Sequence, residues 1–373
     1  MGEFSSRVES MSESGIGEAV ERAGEDAINL GPGQPDFPTM PEATEAAIEA
    51  IKSGEAHNYT DSPGIRPLRE AIRDKHERDN GFRPSLDGVI CTAGAAEALH
   101  IALEAHVDPG DKVLHPAPGF VSYDALTRVA GGTPVPLPLR DDLTLDPATV
   151  ADSITDDTAA VVVNSPANPT GAVYPPEDMR ELARIADEHD IVLISDEVYE
   201  RFVFDGEHRS PMEFAETDSV VVVNGASKTY SMTGWRLGWT IASERRTKRM
   251  FRVHQYSQVC ASAPAQYAAR AALEAPQDWV DNMVATFERR RNVLLDGLAD
   301  MGLEVPTPKG AFYAMVDVPE GWVEEVLDRG VVVVPGEAFG NGGEGYARIS
   351  YATDTDTIEA GLDIMAEATR AVR

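Results

Sequence analysis

The chain is poor in cysteine and in positive charge, and it has no long apolar run. Only Cys91 and Cys260 occur among 373 residues, far apart and without metal-ligand spacing. Neither a disulfide framework nor a metal site is therefore expected, and a reducing cytosol is the compartment they fit. No stretch approaches the roughly 20 apolar residues of a membrane span. The opening residues, MGEFSSRVESMSESGIGEAVERAGEDA, are polar and lack the apolar core of a secretion signal. Lysine and arginine number 32 against 63 aspartates and glutamates, giving a formal net charge of -31. Such a field repels nucleic acid and anionic membranes, so neither is an expected partner. The acidic residues are scattered, as in RDDLTLDPATVADSITDDTA (140–159). That pattern fits an acidic, salt-adapted surface better than an interaction tail. Internal repeats, low-complexity tracts and long linkers are missing too.

What the chain does have is a regular alternation of apolar runs and helical patterns. GVICTAG (88–94), DKVLHPAP (111–118), TAAVVVNSP (158–166), IVLISDEVY (191–199) and SVVVVNGASK (219–228) read as strands, with amphipathic segments between them. Continuous Val, Ile and Leu runs indicate strands buried on both faces, and the alternation with helices predicts a mostly parallel α/β sheet. Beyond about residue 270 a long helix (278–302) leads to short strands at 311–318, 331–336 and 346–352. The expected organisation is a large domain over 41–270 and a smaller α+β domain over 271–373. Residues 1–40 are expected to form an N-terminal arm and part of the small domain.

In open α/β sheets ligands bind beyond the carboxyl ends of the strands, so what each strand delivers there is informative. The first ends at Gly94, where a helix opens with the small residues Ala95 and Ala96, a start that suits a phosphate. Next comes NSPANPTG (164–171), whose prolines and glycine stiffen a loop holding Asn168. Asp196 follows IVLIS, with Tyr199 close behind. A carboxylate there serves as a helix cap, a metal ligand or the counter-ion of a protonated ring nitrogen. The last run delivers Lys228 after Gly225, Ala226 and Ser227, with Arg236 eight positions on. A lysine buried among small residues loses basicity and becomes a nucleophile toward carbonyls. Ser227 and Arg236 offer phosphate donors beside it. Together these parts describe one ligand: a phosphorylated aromatic aldehyde with a ring nitrogen and an adjacent hydroxyl, which is pyridoxal 5'-phosphate.

Six stretches, LGPGQPDFPTMP (30–41), NYTDSPGIRPLREAI (58–72), NSPANPTGAVY (164–174), SDEVYERFVFDG (195–206), NGASKTYSMTGWRLGW (224–239) and YARISYA (346–352), span nearly the whole chain. In content and order they resemble the class I/II aminotransferase family, fold type I of the pyridoxal-phosphate enzymes. The resemblance implies that Lys228 forms the Schiff base and Asp196 faces the pyridinium nitrogen. It implies that Asn168 and Tyr199 bond the ring hydroxyl, while Gly94, Ala95, Ala96, Ser227 and Arg236 meet the phosphate. Phe120 falls where a ring stacks on the pyridine. Tyr59 would reach the cofactor of a neighbouring subunit, making a homodimer with shared active sites the expected unit. Arg348 would clamp the substrate carboxylate, with Gly33 and Asn168 beside it and Ile16 at the entrance. Met232 and Trp235 are read as packing.

The expected activity is transfer of an amino group from an L-amino acid to a 2-oxo acid, 2-oxoglutarate above others, by ping-pong steps. A carbon–sulfur β-lyase on the same fold would need the same Lys228, Asp196 and Arg348. A non-catalytic regulator would lack reason to keep them. Ala96 stands where some acidic-substrate relatives carry lysine, and Gly17 where some place arginine. Both favour a neutral, aromatic or broad donor over aspartate alone.

Overall fold

The computed structural model describes residues 4–11, 17, 19, 22 and 27–373. Ile16 lies outside the described residues. A seven-stranded sheet occupies the middle of the chain, in the order β2 (Val89–Thr92), β8 (Gly238–Ile241), β7 (Val220–Gly225), β6 (Val192–Asp196), β5 (Thr158–Asn164), β3 (Lys112–Ala117) and β4 (Thr133–Pro138). Strands β7, β6, β5, β3 and β4 run parallel, and β8 runs antiparallel to both β2 and β7. The valine run of β7 shows why it is continuous. Side chains alternate across a strand, so Val220 and Val222 enter the core on one face while Val221 and Val223 enter that on the other. Both faces being covered, neither set is polar.

Three features differ from the expectation. β4 was hidden by its own sequence, TPVPLP, whose three prolines cannot donate to a ladder; it stands at the sheet edge, pairing only with β3. The apolar run 331–336 is two strands, not one. β10 (Val331–Val332) pairs in parallel with β1 (Ile28–Asn29), whereas β11 (Val334–Pro335) pairs with β12 (Tyr346–Ser350). The runs ending at 199 and 228 leave the sheet early, at Asp196 and Gly225, and turn.

A three-stranded antiparallel sheet, β11–β12–β9 with β9 spanning Tyr313–Asp317, lies with the long helix Asp278–Asp300 and the C-terminal helix Thr355–Val372. These share a separate core built on Phe287, Phe312, Trp322, Ile349 and Met365. Tyr199 and Phe202, from the end of β6, belong to that core as well. Residue 270 lies inside the helix Ala263–Glu274, whose buried alanines pack on the large-sheet core. The carboxyl ends of β5, β6 and β7 therefore face β9 and β12 across a cleft.

Candidate active site

A cavity of about 360 Å³ fills that cleft. Its walls bring together Gly33, Ala95, Ala96, Phe120, Asn168, Asp196, Tyr199, Ser227, Lys228, Arg236 and Arg348, residues drawn from positions over 300 apart in the chain.

Asp196 closes its floor. The residue is buried, and Tyr123 donates its hydroxyl to Oδ2 at 3.0 Å while the N–H of Val198 approaches Oδ1 at 3.4 Å. Asn164, at the end of neighbouring β5, donates to the Asp196 carbonyl at 2.9 Å, fixing the strand end. Burial pushes the carboxyl up to about 6, against the pull of Tyr123 and Lys228. A cation or N–H donor arriving beside it would restore the carboxylate.

Lys228 sits on the one-turn helix Ala226–Thr229 that follows β7. Its Nζ donates to the carbonyl of Gly33 at 2.5 Å and lies 5.8 Å from the centroid of the Tyr199 ring. Burial, with repulsion from Arg348 and Arg236, lowers the amine to about 8, although Asp196 opposes the shift. On the order of a tenth is thus neutral near pH 7, far more than for an ordinary lysine, and that is the form that attacks carbonyls and accepts protons.

The helix Gly94–Glu104 opens at the cavity, where its first-turn N–H groups have no helical partner. Gly94 takes φ +79°, and a Cβ there would fall 2.7 Å from Arg236 Nη2, so glycine is what admits the guanidinium. Arg236 holds φ +56°, an uncommon backbone for a residue bearing a side chain, and donates to the Thr233 carbonyl at 3.0 Å. Phe120 meets Tyr123 edge-on at 5.7 Å on the cavity wall.

Arg348, on β12, is the most unusual group. It is 1% exposed, yet among the described residues no carboxylate lies within ion-pair reach. It donates to Asn168 Oδ1 at 3.0 Å and to the Gly31 carbonyl, and it lies between the rings of Tyr313 and Phe339, 4.6 and 4.7 Å from their centroids. A buried cation without an anion is costly unless one arrives with a ligand. Asn168 is aligned in turn by its N–H, which donates to Asn164 Oδ1 at 2.8 Å. Tyr199 and Tyr313 share a hydroxyl–hydroxyl bond of 2.8 Å. A Cβ on Gly33 would lie 1.8 Å from that Tyr313 hydroxyl, so no side chain fits there.

Tyr59 stands apart from this cavity and is 84% exposed. Tyr123, Asn164 and Tyr313 were missed in the sequence. Their signals were slight: Tyr123 lies one helical turn beyond Phe120, and Asn164 opens the Asn-Ser-Pro stretch at the end of β5. Met232 is buried in the core, and Trp235 donates to Thr39 at 3.0 Å.

The sheet, the cleft at its carboxyl edge and the buried amine opposite a buried carboxylate define a fold type I pyridoxal-phosphate enzyme. The pieces fit the group: Asp196 for a ring nitrogen, Phe120 for a ring face, Lys228 for an aldehyde, and Arg236 with a helix start for a phosphate. The family described as aminotransferase class I and II matches residues 25–364, and the chain belongs to it. It is 41% identical to a probable aspartate aminotransferase of Methanocaldococcus jannaschii over 98% of this chain and 99% of that one. It is 38% identical to aromatic-amino-acid aminotransferase 2 of Thermococcus litoralis over 91% of each. Among solved structures, aspartate aminotransferase from Thermus thermophilus with maleate superposes at a TM-score of 0.94. That match has 38% identity and covers 99% of this chain and 100% of that one. The chain is therefore an enzyme that uses pyridoxal 5'-phosphate in amino-acid transamination.

Proposed function

We propose that the enzyme moves the amino group of a neutral or aromatic L-amino acid, or of a broad range of donors, to 2-oxoglutarate. The observation that carries this reading is Arg348, a buried guanidinium with no carboxylate of its own. Both substrates of a transamination bring the same carboxylate, and Arg348 binds it as a fork. Asn168, already bonded to Arg348, holds the clamp in register with the cofactor.

When bound, pyridoxal phosphate supplies an aldehyde carbon for the substrate nitrogen and a ring that accepts the charge left by the departing α-proton. Lys228 Nζ would hold that carbon, and its free amine would be the base placed to move the substrate α-proton. Asp196 would accept from the ring N–H and favour its protonated form. Asn168 and Tyr199 would hold the ring hydroxyl, and Phe120 would pack against the ring. Ser227, Arg236 and the N–H groups of Ala95 and Ala96 would hold the phosphate. Gly33 leaves room for the substrate carboxylate.

The donor preference follows from the cations. Among the described residues lining the cavity these are Lys228, Arg236 and Arg348, all engaged elsewhere. Ala96 adds none, and Gly17 presents no side chain. A homodimer is the proposed unit. Tyr59 is 84% exposed and Tyr256 94%, with Ile51 and Val259 also exposed, large apolar side chains that a second copy would cover. The proposed compartment is the cytosol, in keeping with two unpaired cysteines. Purified enzyme incubated with each amino acid and 2-oxoglutarate should form glutamate and the matching 2-oxo acid, best from neutral or aromatic donors. Exclusive use of aspartate overturns the donor assignment. Release of pyruvate and ammonia from cystathionine, with no transfer from any donor, makes the enzyme a lyase instead.

A further inference from the structure

Glu97 and His254 form a buried pair behind the cavity wall that the roles above leave unused. Glu97 lies in the first turn of the helix Gly94–Glu104, directly after Ala96, and its side chain is 6% exposed. His254, on the helix Glu244–Ser257, is fully buried. One Glu97 oxygen accepts from the N–H of Ala93, at the entry to the helix, and the other lies 2.7 Å from His254 Nδ1. His254 Nε2 lies 2.8 Å from the carbonyl oxygen of Ser62.

The hydrogen count follows from the partners. A carbonyl oxygen only accepts, so Nε2 carries a hydrogen. An ionised carboxylate also only accepts, so a second proton must lie on the line between Nδ1 and Glu97. Wherever on that line it rests, ring and carboxyl together are electrically neutral. Without the imidazole, Glu97 would stand as a bare carboxylate within one turn of the N–H groups of Ala95 and Ala96.

We propose that His254 is a positioning residue for the cofactor phosphate: through Glu97, it cancels a negative charge at the helix start that would repel that phosphate. The inference rests on the phosphate placement proposed above. It makes a charge prediction that packing alone does not. His254→Gln leaves Glu97 unbalanced, whereas Glu97→Gln and the double variant each leave a neutral pair.

The test measures the affinity of cofactor-free protein for pyridoxal phosphate, by visible absorbance, and for inorganic phosphate, by competition. His254→Gln should weaken both roughly tenfold, the scale of one charge at a helix terminus. Glu97→Gln and the double variant should stay within about threefold of the parent. A double variant as weak as His254→Gln, or an unchanged His254→Gln, overturns the proposal. If His254→Gln does not fold, Glu97→Gln still decides, because a tenfold loss in that variant is equally fatal. Arg236→Gln serves as the control. Should it leave phosphate affinity unchanged, the phosphate placement fails; should it weaken phosphate while His254→Gln does not, only this inference fails.

Discussion

Replacing Arg348 by glutamine, and separately by lysine, distinguishes a substrate clamp from a structural cation. The guanidinium is 1% exposed and meets a carbonyl and an amide oxygen but, among the described residues, no carboxylate. Under the proposed function it becomes one half of a buried, charge-assisted pair with the substrate carboxylate. Removing one partner of such a pair costs about 3–5 kcal/mol, which puts the loss in kcat/KM for Arg348→Gln between roughly a hundredfold and a few thousandfold. Arg348→Lys keeps the charge but not the fork, so roughly a tenfold to hundredfold loss is expected. Donor and acceptor carry the same carboxylate, so their kcat/KM values should fall by the same factor when each is varied in turn. Stability should respond differently. The free protein loses two hydrogen bonds of about 1 kcal/mol each but also sheds an unbalanced buried cation, so unfolding free energy should shift by less than about 2 kcal/mol. Steady-state kinetics and urea unfolding on the same preparations check both halves. Kinetic constants within threefold of the parent for either substrate, or a stability loss above about 4 kcal/mol, would refute the clamp.

Other outcomes follow from the same geometry. The neutral Lys228 amine is the reactive form and its titration lies at about 8, so cofactor attachment to the empty protein should accelerate with pH through about 8 and then level off. A rate still climbing at pH 10 contradicts this; Arg348→Gln, which removes a repelling cation, should move the midpoint upward. Tyr123→Phe removes a donor to Asp196 and weakens its carboxylate, so kcat should fall about fivefold to tenfold while KM changes little. An unchanged kcat would show that Tyr123 is packing. With a net charge of -31, the thermal midpoint should rise as potassium chloride goes from dilute to molar. A flat or falling midpoint removes the salt-adaptation reading.

The parts of the fold legible in the sequence were those where one physical demand dominates. The valines of β7 answer only to burial on two faces, and Lys228, read from its small neighbours as facing inward, does line the cavity. What escaped depended on distant partners. The prolines of β4 break local strand rules and are tolerated because that strand is an edge. Val331 to Pro335 reads as one run because nothing local says that its halves pair with β1 and β12. Tyr123 sits in the helix Ser122–Ala130, and its hydrogen bond to Asp196 spans 73 positions. Tyr313 lies on an ordinary apolar strand and gains meaning only from Tyr199 and Gly33 across the cleft.

The central claim, that Lys228 and Arg348 serve amino-group transfer, is tested most directly by one half of the reaction alone. The cofactor-loaded enzyme, mixed with a single neutral or aromatic amino acid and no acceptor, should release one 2-oxo acid per active site and no ammonia. The visible absorbance should shift once and return when 2-oxoglutarate is added. Continuous release of oxo acid together with ammonia, or no change with any amino acid, would contradict the account.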